Sequence, residues 1–377
     1  MRFVKIGIMG LMMLLISNIM TLRVEATTKT DSATGYVYST DGDYTSMDTP
    51  DGVNDNVDLK LYEVREMNSY TGEVDKKQMR NYLVGGDLFY TIPGLTSTNV
   101  LGENCETMVP QGICRMDNYI LITAYDSEKT YKSVIYVLDV GGELKATLVY
   151  DKKCHMGGIT YDGKFVWIAE GGNSDPNAPD NGIGAISKNT IFAAVNVSKV
   201  KKAKSVKLKN IMWQQVSEIT STSYCTYFDN RLWIGKFSDT GKSHIYGYKI
   251  DYVYSTPKLT AERYIEAPRY TQGMCFYKSL GTVFLGISTS YGRDKESVIR
   301  CYRPTDYYEP KKKYKGILLI HKGNAYRTLA MPSMSEQISI HGVFMYCIYE
   351  SAASEYVTKA LNPIGSFCIF SANQIFK

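Results

Sequence analysis

Gln111, Gln272 and Glu336 occupy equivalent places in three copies of one short pattern, and chemistry could begin from that alignment. Long polar side chains set around a single opening need water, one another or a ligand as hydrogen-bond partners. One reading is a ring that locks repeats together, and the other is a binding set. His155, one of four histidines, stands beside such a start. A general base, a single metal ligand and a purely structural imidazole are the three readings open to it. Tyr224 stands at a further start. A second group of residues follows the strand after each start. Tyr291 and Arg293, in Ser290-Tyr291-Gly292-Arg293, would put a ring and a guanidinium on the rim, suited to a carboxylate or phosphate. Glu350 ends the apolar run VFMYCIY and could pair with that guanidinium or another base, and Asp126 and Glu170 hold comparable places.

The elements that must position these residues are strands. Within residues 109–138, Gly112–Met116 is apolar, Asp117-Asn118 is a turn, and Tyr119–Ala124 is a second apolar run. A polar excursion then leads to a third run, Ser133–Leu138. The order recurs at 155–197, 222–250, 271–303 and 335–371, with starts about 46–66 residues apart. Glu143–Tyr150, Ser205–Leu208, Leu259–Ile265 and Lys315–His321 supply fourth strands. Four antiparallel strands repeated at this period predict an all-β chain, a five-bladed β-propeller. Six blades, with residues 57–92 as the extra one, is the alternative, and Leu83–Ile92 could instead close the ring against the last blade. In such a blade the first strand starts on the face to which the second returns, so every residue singled out above falls on one mouth of the channel. Crowding near the axis explains Gly112, Gly158 and Gly273 without any ligand. Ser133, Ser243 and Ser297, each heading a third strand, read as hydroxyl caps.

The remaining organisation follows from composition. Residues 1–26 read as a signal peptide: Arg2 and Lys5 precede an apolar core, Ile6–Leu22, and Val24-Glu25-Ala26 offers a cleavage site. An uncleaved anchor is the alternative, and no later stretch could span a bilayer. Cleavage lowers the formal charge from +5 to +3, too little to argue for nucleic acid. Residues 27–80 read as a polar, partly disordered extension, and 81–377 as the propeller domain. DGVNDNVD at 51–58 lacks the spacing and closing glutamate of a calcium loop. The eight cysteines lie mostly inside apolar strands and are expected free and buried, with a Cys347–Cys368 bridge as the one pairing considered.

The set PQG, HxGG, QGM, SYGR, and Met334-Ser335-Glu336-Gln337 followed by Glu350-Ser351-Ala352-Ala353 resembles a group of exported Gram-positive-type bacterial β-propeller proteins of unassigned activity. The resemblance covers about residues 105–360 and implies fold and export, but no reaction. In that group the last repeat has glycine where this chain has Gln337, which puts close backbone approach there in doubt.

Two functions remain in view. The first is a secreted or cell-surface monomer binding a glycan, cell-wall polymer or small molecule through Gln111, His155, Tyr224, Gln272, Tyr291, Arg293, Glu336 and Glu350. The second is a hydrolase in the same funnel, either a glycosidase or a metal-dependent lactonase. Glycosidases need two carboxyl groups flanking one bond, whereas the five aligned starts carry only Glu336. Gln111, Gln272 and Glu336 offer calcium oxygen ligands, yet a single carboxylate matches its charge poorly. Binding is therefore the expected activity.

Overall fold

The computed structural model describes residues 27–42, 65–67, 74–79, 89–173, 179–303, 308–309, 317–319, 325–361 and 363–377. The expected signal peptide and the 51–58 segment lie outside them.

Among these residues the chain is all-β with a propeller arrangement. The first blade runs Met108–Met116, Tyr119–Asp126, Val134–Asp139 and Leu144–Val149 from the axis outward. The second is Gly158–Tyr161, Phe165–Ala169, Gly182–Ser187 and Met212–Gln215. The third is Tyr224–Phe228, Arg231–Gly235, Ser243–Val253 and Thr256–Ala267. The fourth is Thr271–Ser279, Thr282–Thr289, Ser297–Tyr302 and Arg327–Met331. Beside these lies a sheet of Ser335–His341, Phe344–Tyr349 and Ser366–Ser371, whose outer place is taken by Phe89–Thr91 from ahead of the first blade. Each inner strand neighbours the next, and Ser335–His341 returns to Met108–Met116.

The apolar cores sit between adjacent sheets rather than within one. Leu121, Ile135, Ile159 and Ile168 join the first and second, and Trp167, Ile183, Leu232 and Ile234 the second and third. Ile122, Val134, Ile348 and Phe367 join the last sheet back to the first. Strand alternation sends one side chain in two to each neighbour, so both faces of every blade are apolar. Fully burying one such aliphatic contributes about 1.5–3 kcal/mol. Interleaved this way, the sheets hold each other without staples: all eight cysteines are free and buried. Cys347 and Cys368 face each other across neighbouring strands and remain thiols.

Several strands differ from the sequence expectation. The segment after Ser187, expected to continue a strand, is a helix over Lys188–Lys201. The Ser187 hydroxyl accepts from the Thr190 N–H, capping the start, and Ile191, Ala194, Val195 and Ser198 fall on one buried face at helical spacing. Ser187→Ala is expected to cost about 1 kcal/mol, read as a fall in thermal midpoint, while Ser187→Asp retains the cap. Ser205–Lys207, expected as the second blade's fourth strand, instead pairs in parallel with the edge of the first blade, Leu148 opposite Val206. Ile317–Leu319 likewise adds to the edge of the third blade, not the fourth. Arg65–Met67 and Val74–Met79, within the stretch weighed as an extra blade, extend the edge of the fourth.

The described part of the N-terminal extension is ordered into strands. Val37–Ser39 pairs with Ser205–Lys207 and Thr28–Thr30 pairs with it in turn, covering the outer edge of the first blade. An uncovered edge is a template for wrong pairing, and this extension moves it from Leu144–Val149 out to the three-residue, exposed strand Thr28–Thr30.

Candidate functional site

Three of the five inner strands carry a register shift at their start: between Pro110 and Gly112, between Thr271 and Gly273, and between Ser335 and Ile338. A bulge leaves an extra residue unpaired and re-aims its side chain. The extra residues are Gln111, Gln272, and the pair Glu336 and Gln337. The chemistry-bearing positions of the sequence are thus the bulges, which is why long polar side chains stand there.

The bulges bring two carboxyl groups together. Gln111 Nε2 donates to Glu350 Oε2 at 2.8 Å, Gln272 Nε2 donates to Glu336 Oε1 at 3.0 Å, and the two carboxyls hydrogen-bond to each other. Glu336 is 2% exposed and Glu350 9%. Burial, reinforced by Glu350, pushes the Glu336 carboxyl well above its usual range. Burial also pushes Glu350 up to about 7, against the lowering effect of the hydrogen bonds from Gln111 and Glu336. Two buried carboxyls in contact resist ionising together, which favours the protonated form of the pair toward neutral pH.

Gln337 lies deeper. Its Oε1 accepts from the N–H of Ile113 at 3.1 Å and of Ile159 at 2.8 Å, and its Nε2 donates to the carbonyls of Ile159 at 2.7 Å and Cys225 at 3.0 Å. One fully buried amide therefore joins the last inner strand to the first, second and third. On the fourth, a Cβ at Gly273 would come within 2.8 Å of Gln337 Cα. The Gln337 side chain thus fills the axis and closes the channel beneath the carboxyl pair.

The mouth above the pair is bridged by residues 350–361. Ser354 Oγ donates to the Glu106 carbonyl at 2.9 Å on one side, and the Leu361 N–H donates to the Arg293 carbonyl at 2.5 Å on the other. Between them Tyr356 hydrogen-bonds Tyr125. Tyr125 meets the His155 ring edge-on at 4.3 Å. Both line a cavity of about 230 Å³ together with Lys129, Tyr131, Cys154 and Gly172. Burial and the Lys129 charge lower His155 to about 4, so its imidazole is neutral across the physiological range.

Of the eight residues expected in the site, the structure brings Gln111, Gln272, Glu336 and Glu350 together, and His155 lines the cavity beside Tyr125. Tyr224 does not join them. It is fully buried between blades with its hydroxyl on Ser243 Oγ at 2.5 Å, because strand alternation turns it toward the core. Arg293 stays exposed on the rim and takes no part in the pair, since Glu350 is engaged by Gln111 and Glu336 instead. Tyr291 is half-buried, holding Arg300 Nη2 at 2.9 Å and meeting Tyr270 edge-on at 5.5 Å. Asp126 and Glu170 are structural: Asp126 accepts from the N–H groups of Glu128, Thr130 and Tyr131, shaping its loop, and Glu170 takes Tyr150 and Lys152. The three serines do cap, as Ser133 Oγ on the Cys154 carbonyl at 2.6 Å and Ser297 Oγ under the Ser335 N–H at 2.9 Å illustrate. Tyr125 stands at a second-strand end, where the sequence reading places the polar mouth, whereas Tyr270 and Tyr356 had no signal beyond a tyrosine count of 31.

Among the described residues no three His, Cys, Asp or Glu side chains gather as a metal set, and no helix is long and apolar enough to cross a membrane. Gln111 and Gln272, considered as calcium ligands through their oxygens, turn their nitrogens to the carboxyls.

No family model and no curated protein matches the chain. Among solved structures, it overlays a GH43_1 enzyme from Xanthomonas citri complexed with xylose at TM-score 0.37 and 8% identity, covering 70% of this chain and 86% of that one. A hypothetical selenium-binding protein from Sulfolobus tokodaii gives TM-score 0.33 at 14% identity, covering 72% and 70%. An alpha-L-arabinofuranosidase from Clostridium thermocellum gives 0.32 at 13%, covering 70% and 89%. Likeness at this level identifies neither a family nor a reaction.

Proposed function

We propose that this chain is an exported propeller of five blades that binds a neutral, hydroxyl-rich ligand, such as the end of a glycan or cell-wall polymer, at the mouth above Glu336 and Glu350. The blade count rests on Phe89–Thr91 completing the sheet of Ser335–His341 as a fifth blade. Export rests on the leader at 1–26 and on the motif resemblance. The observation that carries the binding reading is the composition of the floor. Two carboxyl groups whose protonated form burial favours and two amides set donors and acceptors side by side, which is what sugar hydroxyls, at once donors and acceptors, require. Tyr125, Tyr270, Tyr291 and Tyr356 supply ring surfaces around it, suited to the C–H faces of a pyranose.

The hydrolase reading is weaker on geometry. Retaining glycosidases hold their carboxyl groups about 5–5.5 Å apart and inverting ones about 6.5–9.5 Å. Glu336 and Glu350 are hydrogen-bonded to each other, leaving no room for a glycosidic bond between them.

The test exposes the purified chain to a panel of cell-wall and plant polysaccharides, with and without calcium, and reads retention and released product together. Retention without product is expected, with Gln272→Ala and Glu336→Gln each weakening it by about tenfold or more, the loss of one hydrogen bond to a charged or buried group. Retention unchanged in both variants would remove this mouth from consideration. Released sugar would reinstate the hydrolase.

A further inference from the structure

The five inner strands run from the acid-pair mouth to the hairpin turns on the opposite face, and there they surround a second cavity, of about 310 Å³. Every inner strand contributes: Arg115 from the first, Thr160 from the second, Tyr227 and Phe228 from the third, Phe276 to Lys278 from the fourth, and Ser339 to His341 from the last. Glu336 and His341 end the same strand, five residues and about 17 Å apart. The buried amide of Gln337 closes the axis between them. The two mouths are therefore separate compartments.

The lining of this cavity carries charge of one sign, although Asp117 acts on His341, and Asp162 and Asp229 on Tyr227, from just outside it. Its lining includes Arg115, Lys278 and His341 and no carboxylate. The acidic residues of the neighbouring hairpins each have a partner of their own: Asp117 pairs with Lys188, Asp162 takes Trp167 Nε1 and the Tyr252 hydroxyl, and Asp229 pairs with Arg231. Two side-chain atoms of lining residues are buried and without a hydrogen-bond partner among the described residues, Arg115 Nε and Ser339 Oγ. Ser339 is 6% exposed. An orphaned donor on a guanidinium and an orphaned hydroxyl in the same cavity call for an acceptor that the protein does not supply. The wall beside them is aromatic, with Phe228 stacked on Phe276 at 4.7 Å and Tyr227 next in the strand.

We propose that this cavity is a second binding site, for a small organic anion: a carboxylate or phosphate group carried on a flat ring. Arg115 and Lys278 neutralise the anionic group, Ser339 donates to it, and the ring lies against Tyr227, Phe228 and Phe276. Arg115, whose Nη2 also donates to the Asp117 carbonyl at 2.8 Å, supplies its remaining N–H groups to the oxygens of either group. Lys278, exposed at the edge, acts as a point charge that draws the anion in. This site is independent of the glycan reading and stands whether or not that reading does.

Calorimetric titration of the full purified chain tests it, with benzoate, phenyl phosphate and inorganic phosphate as probes and benzyl alcohol as the uncharged control. Binding of benzoate or phenyl phosphate at millimolar concentration or below is expected, with inorganic phosphate weaker and benzyl alcohol silent. The stronger of the two ring-bearing probes decides between carboxylate and phosphate. Lys278→Glu should weaken that probe by about tenfold or more, and Ser339→Ala should weaken it less. Lys278 is exposed, so its variant tests the site without disturbing the fold, and Arg115→Gln provides the second arm. No heat with any probe, equal binding of benzyl alcohol, or unchanged affinity in Lys278→Glu would each overturn the proposal.

Discussion

Gln337→Ala is expected to lower the stability of the chain by about 4 kcal/mol, the largest effect of any single substitution considered. An inner strand has a ladder partner on one side only, and its other edge faces the axis. There the backbone groups of Ile113, Ile159 and Cys225 have no strand to pair with, and the Gln337 amide satisfies four of them. Removing the amide strands those groups in a buried position, at about 1–3 kcal/mol for each left unsatisfied. A water entering the vacated space would offset part of that cost. Gln337→Met separates packing from hydrogen bonding, because methionine restores the volume and none of the bonds. Calorimetric midpoints should place Met near Ala and both far below the native chain. A Met variant as stable as the native chain would show that filling the axis, and not pairing its backbone, is what Gln337 does.

The second large effect is a fall in stability as pH rises. Glu336 and Glu350 have folded-state pKa values raised above the ordinary 4.5, so the folded chain holds protons that the unfolded chain releases. Stability is then fully present below about pH 4.5 and is lost as pH climbs through the folded values. For Glu350 the window runs from 4.5 to about 7, worth roughly 3 kcal/mol. Glu336, raised well above its usual range, extends the loss toward higher pH. Thermal midpoints measured from pH 5 to pH 8 should therefore decline. Glu336→Gln should flatten the decline by keeping a hydrogen-bonding partner that never ionises, and the double variant with Glu350→Gln should abolish this contribution. A native profile rising between pH 6.5 and pH 8, above the window in which His155 acts, would mean the carboxyls are not held in contact. His155 works in the opposite sense at lower pH: its value is lowered to about 4, so protonation of the unfolded chain below its ordinary 6.5 destabilises the fold toward acid. The two effects overlap near pH 5 to 6, which is why the Glu336 variant is the informative comparison.

The acid pair and the Gln337 plug make one architectural point. The same bulge that aims Glu336 at the mouth aims Gln337 at the axis, so the feature that builds the site also seals the channel beneath it. Both proposed sites are consequences of that division, one on each side of a single amide.

Much of this was legible in the chain. Alternating apolar residues, paired turn residues and their recurrence specify antiparallel strands wherever they occur, because side-chain direction in a strand depends only on position parity. Parity and repeat alignment therefore put Gln111, Gln272, Glu336, His155 and Glu350 on one face. They also marked the buried cysteines as apolar packing. Parity was equally the source of an error: Tyr224 was assigned to the mouth by its place at a strand start, where one step in register turns it to the core.

Other features depend on distances between residues far apart in sequence. Ser205–Lys207 and Ile317–Leu319 read as strands, but which sheet they join depends on which edge lies open nearby. Helix Lys188–Lys201 carried its own signals in Ser187 and in the spacing of Ile191, Ala194, Val195 and Ser198, outweighed by the expectation of a repeat. The sequence by itself determined a repeated β architecture and the polar face of its channel, since those follow from local periodicity. Only the tertiary structure decided that Glu336 and Glu350 are buried against each other, that Gln337 closes the axis, and that a cationic, aromatic cavity lies beyond it. Hydrogen bonding and desolvation change over tenths of an ångström, and no local pattern fixes the approach of strands more than 200 residues apart.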